Sequence, residues 1–476
     1  MKWNMGSLAG LVLALVCAVS AQDIKVVQTT PDLKQALQPQ RSLRFGSATK
    51  PVLRVVVNDE ARFQEIDGFG ASFTDSSAWL IFAKLDPNQR DAAMRDLFDP
   101  KNGIGLSFIR QPMGSSDLSL NHYSYDDLPA GQKDPELKHF SIRHDEAYIL
   151  PLLRQARELN PQLKIIASPW SAPGWMKSSD SLIGGTVNRA SYPALADYFV
   201  KFIHAYERAG VPIYGVTMQN EPLYVPTDYP GSAMHADHQK LFLKEHLGPA
   251  FQKAGIEAKV LVYDHNWDHP EYPETIFSDP EAARFAAGTA FHCYGGEVKA
   301  QALVHERFPA KGIWETECSG GTWQRGNILA MEARLIIDST REWARSVVLW
   351  NLALDQKNGP NAGGCDTCRG VLTVNTGAPA SVTRTLDYYV LGQVSKFVKP
   401  GAQRIDSKSF ADKLENVAFR NPDGSIVLFA LNPGATPLEF EISYRGKTVS
   451  YTLPAGAIAT FHWSPVATAS PQDGSN

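Results

Sequence analysis

SYPALADYFVKFIHAYERAG (residues 191–210), followed two residues later by IYGVTMQN (residues 213–220), decides the fold. In the first segment Leu195, Phe199, Phe202, Ile203 and Tyr206 recur at spacings of three and four, so they share one face of a helix. Ser191 stands where a side chain can cap the first turn, and Gly210 where a helix can stop. The second segment is a short β-rich run that turns polar at Asn220 and Glu221 before Pro222. A helix feeding a strand through so short a link is the repeating unit of an α/β fold with a parallel sheet.

Working outward, the same alternation holds from about Gln64 to Leu354. Eight apolar runs can be counted: EIDGFGASFT, GLSFIRQPM, LKIIASPW, IYGVTMQN, AKVLVYD, GTAFHCY, GIWETEC and SVVLWNLAL. Eight strands with intervening helices predict a (β/α)8 barrel, placed at residues 61–395. The flanks read differently. IKVVQTT and VLRVVVND before the barrel, and NVAFRNPDGSIVLFALNP, LEFEISYRGKTVSYTL and AIATFHW after it, are strands joined by turn signals. They predict a side β-sandwich formed from both chain ends, residues 22–60 and 396–464. Leu438, Phe440, Ile442 and Tyr444 alternate with polar residues, as in a sheet with one wet face. Residues 465–476 read as a disordered tail.

The first residues, MKWNMGSLAGLVLALVCAVSAQ, combine Lys2, an apolar run and a small-residue site ending at Ala21. This is the pattern of a signal peptide over residues 1–21, and the run is too short for a membrane span. The mature protein is therefore expected to be secreted or periplasmic, without an integral membrane segment. Among 476 residues, 46 Lys and Arg against 50 Asp and Glu leave a net charge of -4, which gives no footprint for nucleic acid. In an oxidising compartment Cys365 and Cys368 are most simply a local disulfide. Cys293 and Cys318, at the ends of apolar strands, read as small buried thiols, with zinc ligation by all four cysteines the weaker alternative.

In such a barrel, catalytic groups lie where each strand turns polar. That test selects Arg110 and Asp117 after strand two, Trp170 after strand three, Asn220 and Glu221 after strand four, His292 and Tyr294 after strand six, Glu317 on strand seven, and Trp350 with Asn351 on strand eight. Two carboxylates, two indoles and neutral hydrogen-bonding groups around one mouth describe a carbohydrate site. Glycoside hydrolysis needs one carboxylic acid to protonate the leaving oxygen and one carboxylate to attack the anomeric carbon, and a separation of about 5 to 5.5 Å makes the enzyme retaining. Glu221 and Glu317 are the candidate pair. Glu315 alternates with Glu317 on the same strand and is a rival nucleophile by spacing alone.

The blocks GFGASFTDSSAWL, IRQPMGSSDLSLNHYSYDD, ASPWSAPGWMK, VTMQNEP, FHCYGG, WETECSGG and LWNLALDQKNGPN span nearly the whole mature chain. They resemble glycoside hydrolase family 30, in particular its glucosylceramidase-like branch, whose fold is a barrel with a side β-sandwich. The resemblance implies that Glu221 is the general acid/base and Glu317 the nucleophile. It also implies that Asn220 meets the sugar 2-hydroxyl, that Arg110 and Tyr294 keep the nucleophile ionised, that Asp117 and Trp170 hold outer hydroxyls of a glucose, and that Trp350 is a stacking floor. A raised pKa for Glu221 and a lowered one for Glu317 follow from those roles. Two departures bear on substrate. After strand eight, NAGGCDTCRGVLTVN is more similar to the branch cleaving β-1,6-glucans, and Leu118 stands where ceramide-cleaving enzymes carry an aromatic residue. A β-1,6-glucan is thus the expected substrate, with glucosylceramide or another β-glucoside second and a non-catalytic carbohydrate-binding protein third. Two carboxylates suffice for the reaction, so no cofactor or metal is implied.

Overall fold

A computed structural model describes residues 23–47 and 53–465. The expected signal peptide and nearly all of the expected tail lie outside those residues. Eight parallel strands form one sheet: Gly68–Ala71, Phe108–Pro112, Lys164–Ser168, Gly215–Thr217, Lys259–Asn266, Ala286–His292, Gly312–Cys318 and Ala344–Leu349, here strands one to eight. Strands two to eight each pair with the next in sequence order, and strand eight pairs with strand one. The ring closes between strands one and two, where the Ser107 amide donates to the Phe69 carbonyl at 3.1 Å and the Phe73 amide to the Arg110 carbonyl at 2.8 Å.

The deciding helix is Tyr192–Arg208, and Leu195, Phe199, Phe202, Ile203 and Tyr206 are all buried against the barrel. Its C-terminal end follows the sequence. Gly210 takes a left-handed φ of 81°, and the Val211 amide closes on the Tyr206 carbonyl at 2.9 Å. The expected cap at its start does not form, because Ser191 makes no side-chain cap bond. Pro193 occupies the second helical position and has no N–H to offer, so one of the two natural partners of a capping hydroxyl is missing.

Inside the ring, Phe108, Ile166, Leu261, Ala290, Trp314 and Val348 form a closed apolar layer. Below it Asp67 gathers Lys164, Tyr214, Trp314 and Arg345, which seals the N-terminal mouth with a satisfied buried carboxylate. Only the opposite mouth is open for chemistry.

The flanking strands form one ten-stranded, mostly antiparallel sheet that folds over to enclose a second core. Phe440 and Phe461 meet within it at 6.0 Å. Asp23–Thr29 pairs with Ile458–Trp463, so both ends of the described chain share this domain. Strand Ile426–Leu431 explains why IVLFAL carries no polar residue. Ile426, Leu428 and Ala430 point into the sandwich core, while Val427, Phe429 and Leu431 join the core of the barrel. Continuous apolar sequence is what a strand buried on both faces requires. The Phe440 strand shows more burial than its alternation predicts, because Glu441 is tucked under the Arg54 guanidinium at 2.8 Å.

Candidate active site

Arg110, wholly buried, organises the open mouth from the end of strand two. Its Nη1 donates to Glu317 Oε2 at 2.6 Å, and its Nη2 donates to Asp264 Oδ2 at 2.7 Å and Asn220 Oδ1 at 2.6 Å. The Tyr294 hydroxyl donates to the other Glu317 oxygen at 2.9 Å. Both oxygens of Glu317 are thus fixed by donors, a guanidinium on one and a phenol on the other.

How Glu317 comes to face Arg110 departs from simple alternation. Phe291 on strand six pairs with Glu315 and the next residue, His292, pairs with Glu317, so strand seven carries one extra residue. Such a bulge re-aims the side chains beyond it. Trp314 and Thr316 point into the barrel, Glu315 points out to Trp267 and Gln301, and Glu317 swings back in. The rival carboxylate is therefore outside the mouth. Burial pushes the Glu315 carboxyl well above the usual carboxylate range.

A second bulge sits on strand five at Asp264, between the partners of Ala290 and Phe291. Asp264 accepts from Arg110, Ser168, Thr217 and Thr316 and lies 3.0 Å from His292 Nε2. The other ring nitrogen, His292 Nδ1, lies 3.1 Å from Glu221 Oε1. Asp264 and its partnership with His292 were not among the expected site residues, although AKVLVYD turns polar at Asp264 as the other strands do. Glu221, Tyr263, Asp264 and Asn351 all take left-handed φ angles between 45° and 78°. Backbone strain of this kind in non-glycine residues concentrates at functional sites.

These contacts reverse the expected electrostatics. Burial works against ionisation of Glu221, yet the hydrogen bond and charge of His292 hold it below the usual range. Burial pushes Glu317 upward, and the charge of Glu221 adds to this against the pull of His292 and Arg110. Burial also disfavours the charged His292 imidazole, but the charge of Glu317 and the hydrogen bond and charge of Asp264 overcome it and raise the ring to about 10. Asp264 itself lies well below the carboxylate range despite its burial, through Arg110 and His292. The shifts favour a proton on His292, one hydrogen bond from Glu221.

Glu221, His292 and Glu317 each bring one oxygen or nitrogen within 4.8 Å of the others. The set has the donor types of a cation site, but Arg110 already places positive charge 2.6 Å from Glu317. A cation there would have to displace that ion pair.

The carboxylates open into a cleft of about 470 Å³. Its inner end is lined by Asp117, Trp170 and Trp350, each at most 6% exposed. The two indoles stack on each other with centroids 5.0 Å apart, and the Arg110 guanidinium lies 4.7 Å over Trp170. Asp117 accepts from the Cys365 amide at 3.4 Å through one oxygen, while its other oxygen is buried without a partner. Burial and then the charge of Glu317 raise its carboxyl to about 7.

Two disulfides frame the mouth. Cys365–Cys368 closes the loop beside Asp117. Cys293–Cys318, read from the sequence as two buried thiols, is also a disulfide, and it ties the residue after His292 to the residue after Glu317. The two strand ends are adjacent in the parallel sheet, which brings the cysteine Cα atoms to 5.3 Å.

Residues 66–398 match the glycosyl hydrolase family 30 TIM-barrel domain, and residues 401–461 match the family's β-sandwich domain. The chain is 34% identical over 437 residues to an endo-1,6-beta-D-glucanase of Neurospora crassa, covering 86% of this chain and 90% of that one. It is 31% identical to the lysosomal acid glucosylceramidase of Mus musculus, over 86% and 83% of the two chains. Among solved structures, an endo-β1,6-glucanase superposes with a TM-score of 0.86 at 32% identity, covering 93% of this chain and all of that one. Barrel, sandwich and site geometry stand together with these likenesses: the chain belongs to glycosyl hydrolase family 30.

Proposed function

We propose that the protein is a secreted, retaining β-glucanase whose substrate is a β-1,6-linked glucan. The observation that carries the mechanism is the close pair Glu221 and Glu317, with the second clamped at both oxygens by Arg110 and Tyr294. Glu317 attacks the anomeric carbon, the glycosidic C–O bond breaks, and the proton held between His292 and Glu221 passes to the leaving oxygen. The product of this step is a glycosyl ester on Glu317. A water molecule, deprotonated by Glu221, then attacks the same carbon from the vacated face and restores the original configuration.

His292, hydrogen-bonded to Glu221 at 3.1 Å, relays the proton of the acid step. With the Nε2 proton shared with Asp264, the Nδ1 proton moves 3.1 Å to Glu221 without changing the net charge of the site. Asn220, held by Arg110, is positioned for the sugar 2-hydroxyl, and Asp117 with Trp170 and Trp350 receives the ring in the inner cleft. A carboxyl near 7 with one free oxygen can accept from or donate to a hydroxyl.

Support for the β-1,6 linkage comes from the glucanase relatives and from the closed loop of Cys365 and Cys368 against Asp117. Support for export comes from the signal pattern and from the two disulfides, which persist in oxidising compartments. The test is incubation of purified protein with soluble β-1,6-glucan and, separately, with glucosylceramide in detergent, with the products resolved. Oligosaccharides from the glucan bear the proposal out, whereas glucose from the lipid alone overturns the linkage.

A further inference from the structure

The cleft is lined by buried side chains at its inner end and by exposed ones elsewhere. Seven large hydrophobic side chains are exposed among the described residues, and three of them, Tyr224, Tyr294 and Trp323, line this one cleft. Tyr294 is explained by its bond to Glu317. Trp323 and Tyr224, 48% and 50% exposed, make no contact that the hydrolytic machinery needs.

Trp323 is nevertheless held firmly. The Thr322 amide donates to the Thr367 carbonyl at 2.9 Å, Gly321 bridges to Cys368, and the Gly321 amide donates to Gln324 at 3.2 Å. The indole lies directly on Gly321, where an added Cβ would meet ring carbons at 2.1 and 2.4 Å. A tryptophan packed on Gly321, half-exposed and lining the cleft, offers aromatic surface to whatever enters. Tyr224 lines the same cleft three residues after Glu221, with its amide donating to the Glu221 carbonyl at 2.9 Å. A leaving group departs on the side of the residue that protonates it, hence toward Glu221 and the Tyr224 that follows it. A 6-O linkage adds a rotatable carbon between the two sugars, which lets the departing ring turn flat onto an aromatic face.

We propose that Trp323 and Tyr224 form the aglycone site, taking the glucosyl unit that leaves; this rests on the reading of the protein as a β-1,6-glucan hydrolase. Trp323→Ala, Trp323→Phe and Tyr224→Ala are each assayed on a β-1,6-linked glucotetraose and on β-glucosyl fluoride, whose leaving group has no ring. Trp323→Ala and Tyr224→Ala are expected to lower kcat/KM for the tetraose about tenfold, mostly through KM, with the fluoride altered by less than about twofold and Trp323→Phe restoring most of the loss. Equal losses on both substrates would mean that the aromatics shape the catalytic pair instead, and unchanged tetraose turnover would mean that no sugar rests there; either overturns the inference. Parent protein that consumes the fluoride but not the tetraose overturns the linkage reading itself, and that result is visible before any variant is made.

Discussion

His292 stands between Glu221 and Asp264, 3.1 Å from one carboxylate and 3.0 Å from the other, wholly buried between strands four, five and six. A buried histidine in that position, its charge favoured by the surrounding carboxylates, can pass a proton to Glu221, while Asp264 orients the ring.

Replacing His292 with glutamine keeps a hydrogen-bonding side chain and removes the stored proton. The expected outcome is a loss of about 10²–10⁴-fold on glucan, where the leaving alcohol needs protonation, and a much smaller loss on an aryl glucoside with an acidic leaving group. Stability carries a second signature. A raised folded pKa contributes stability that is full below the ordinary value of 6.5 and is lost as pH rises through about 10. The unfolding midpoint of the parent protein should therefore fall between pH 6.5 and 10 more steeply than that of His292→Gln, as scanning calorimetry can determine.

Glu317→Gln should abolish covalent turnover, and a 2-deoxy-2-fluoro-glucoside inactivator should label the parent protein on Glu317, read by peptide mass. Labelling of Glu315 instead would overturn the assignment of Glu317 as nucleophile. Glu221→Gln should still form the covalent species from an activated aryl glucoside but release it slowly.

Asp117→Asn separates binding from stability. Burial raises the folded carboxyl to about 7 from an ordinary 3.8, so the parent protein loses stability as pH rises between those values. The amide removes that loss, and the variant should melt higher than the parent at pH 8 and alike at pH 3, while turning over glucan poorly. A variant melting lower at pH 8 would show that the carboxylate's bonds, the Cys365 amide among them, outweigh its burial.

The double variant Cys293→Ser, Cys318→Ser opens a crosslink spanning 25 residues. Loop-closure entropy sets the expected destabilisation at about 3 kcal/mol, measurable by denaturant unfolding. Because the bond joins the chain beside His292 to the chain beside Glu317, kcat should fall together with stability.

Much of this was legible in the chain because barrels repeat. Helix Tyr192–Arg208 and the eight apolar runs each announce themselves by period, and the mouth-facing carboxylates by the point where a run turns polar. What escaped depends on how one strand registers against the next. No local pattern marks the extra residue that separates Glu315 from Glu317, since a bulge is a property of a pair of strands. The pairing of Cys293 with Cys318 needs the same neighbour relationship. Ser191 failed as a cap for a local reason that was readable, the proline two positions on. The segment after strand eight had no period to read. It folds as a small sheet of Ala353–Asp355, Leu372–Asn375 and Ser381–Arg384 whose order comes from packing on the barrel.

The pairing of Lys25 with His462 sets a timetable for the protein's birth. A strand near the beginning of the described chain waits through more than four hundred residues of synthesis before its partner exists. Until then Ile24 and Val26 have no core to enter, and the barrel faces of Val427 and Phe429 are unmade as well. Contacts this distant in sequence form slowly, after the chain is complete. The sandwich therefore closes last, when Ile458–Trp463 reaches the strand made near the start.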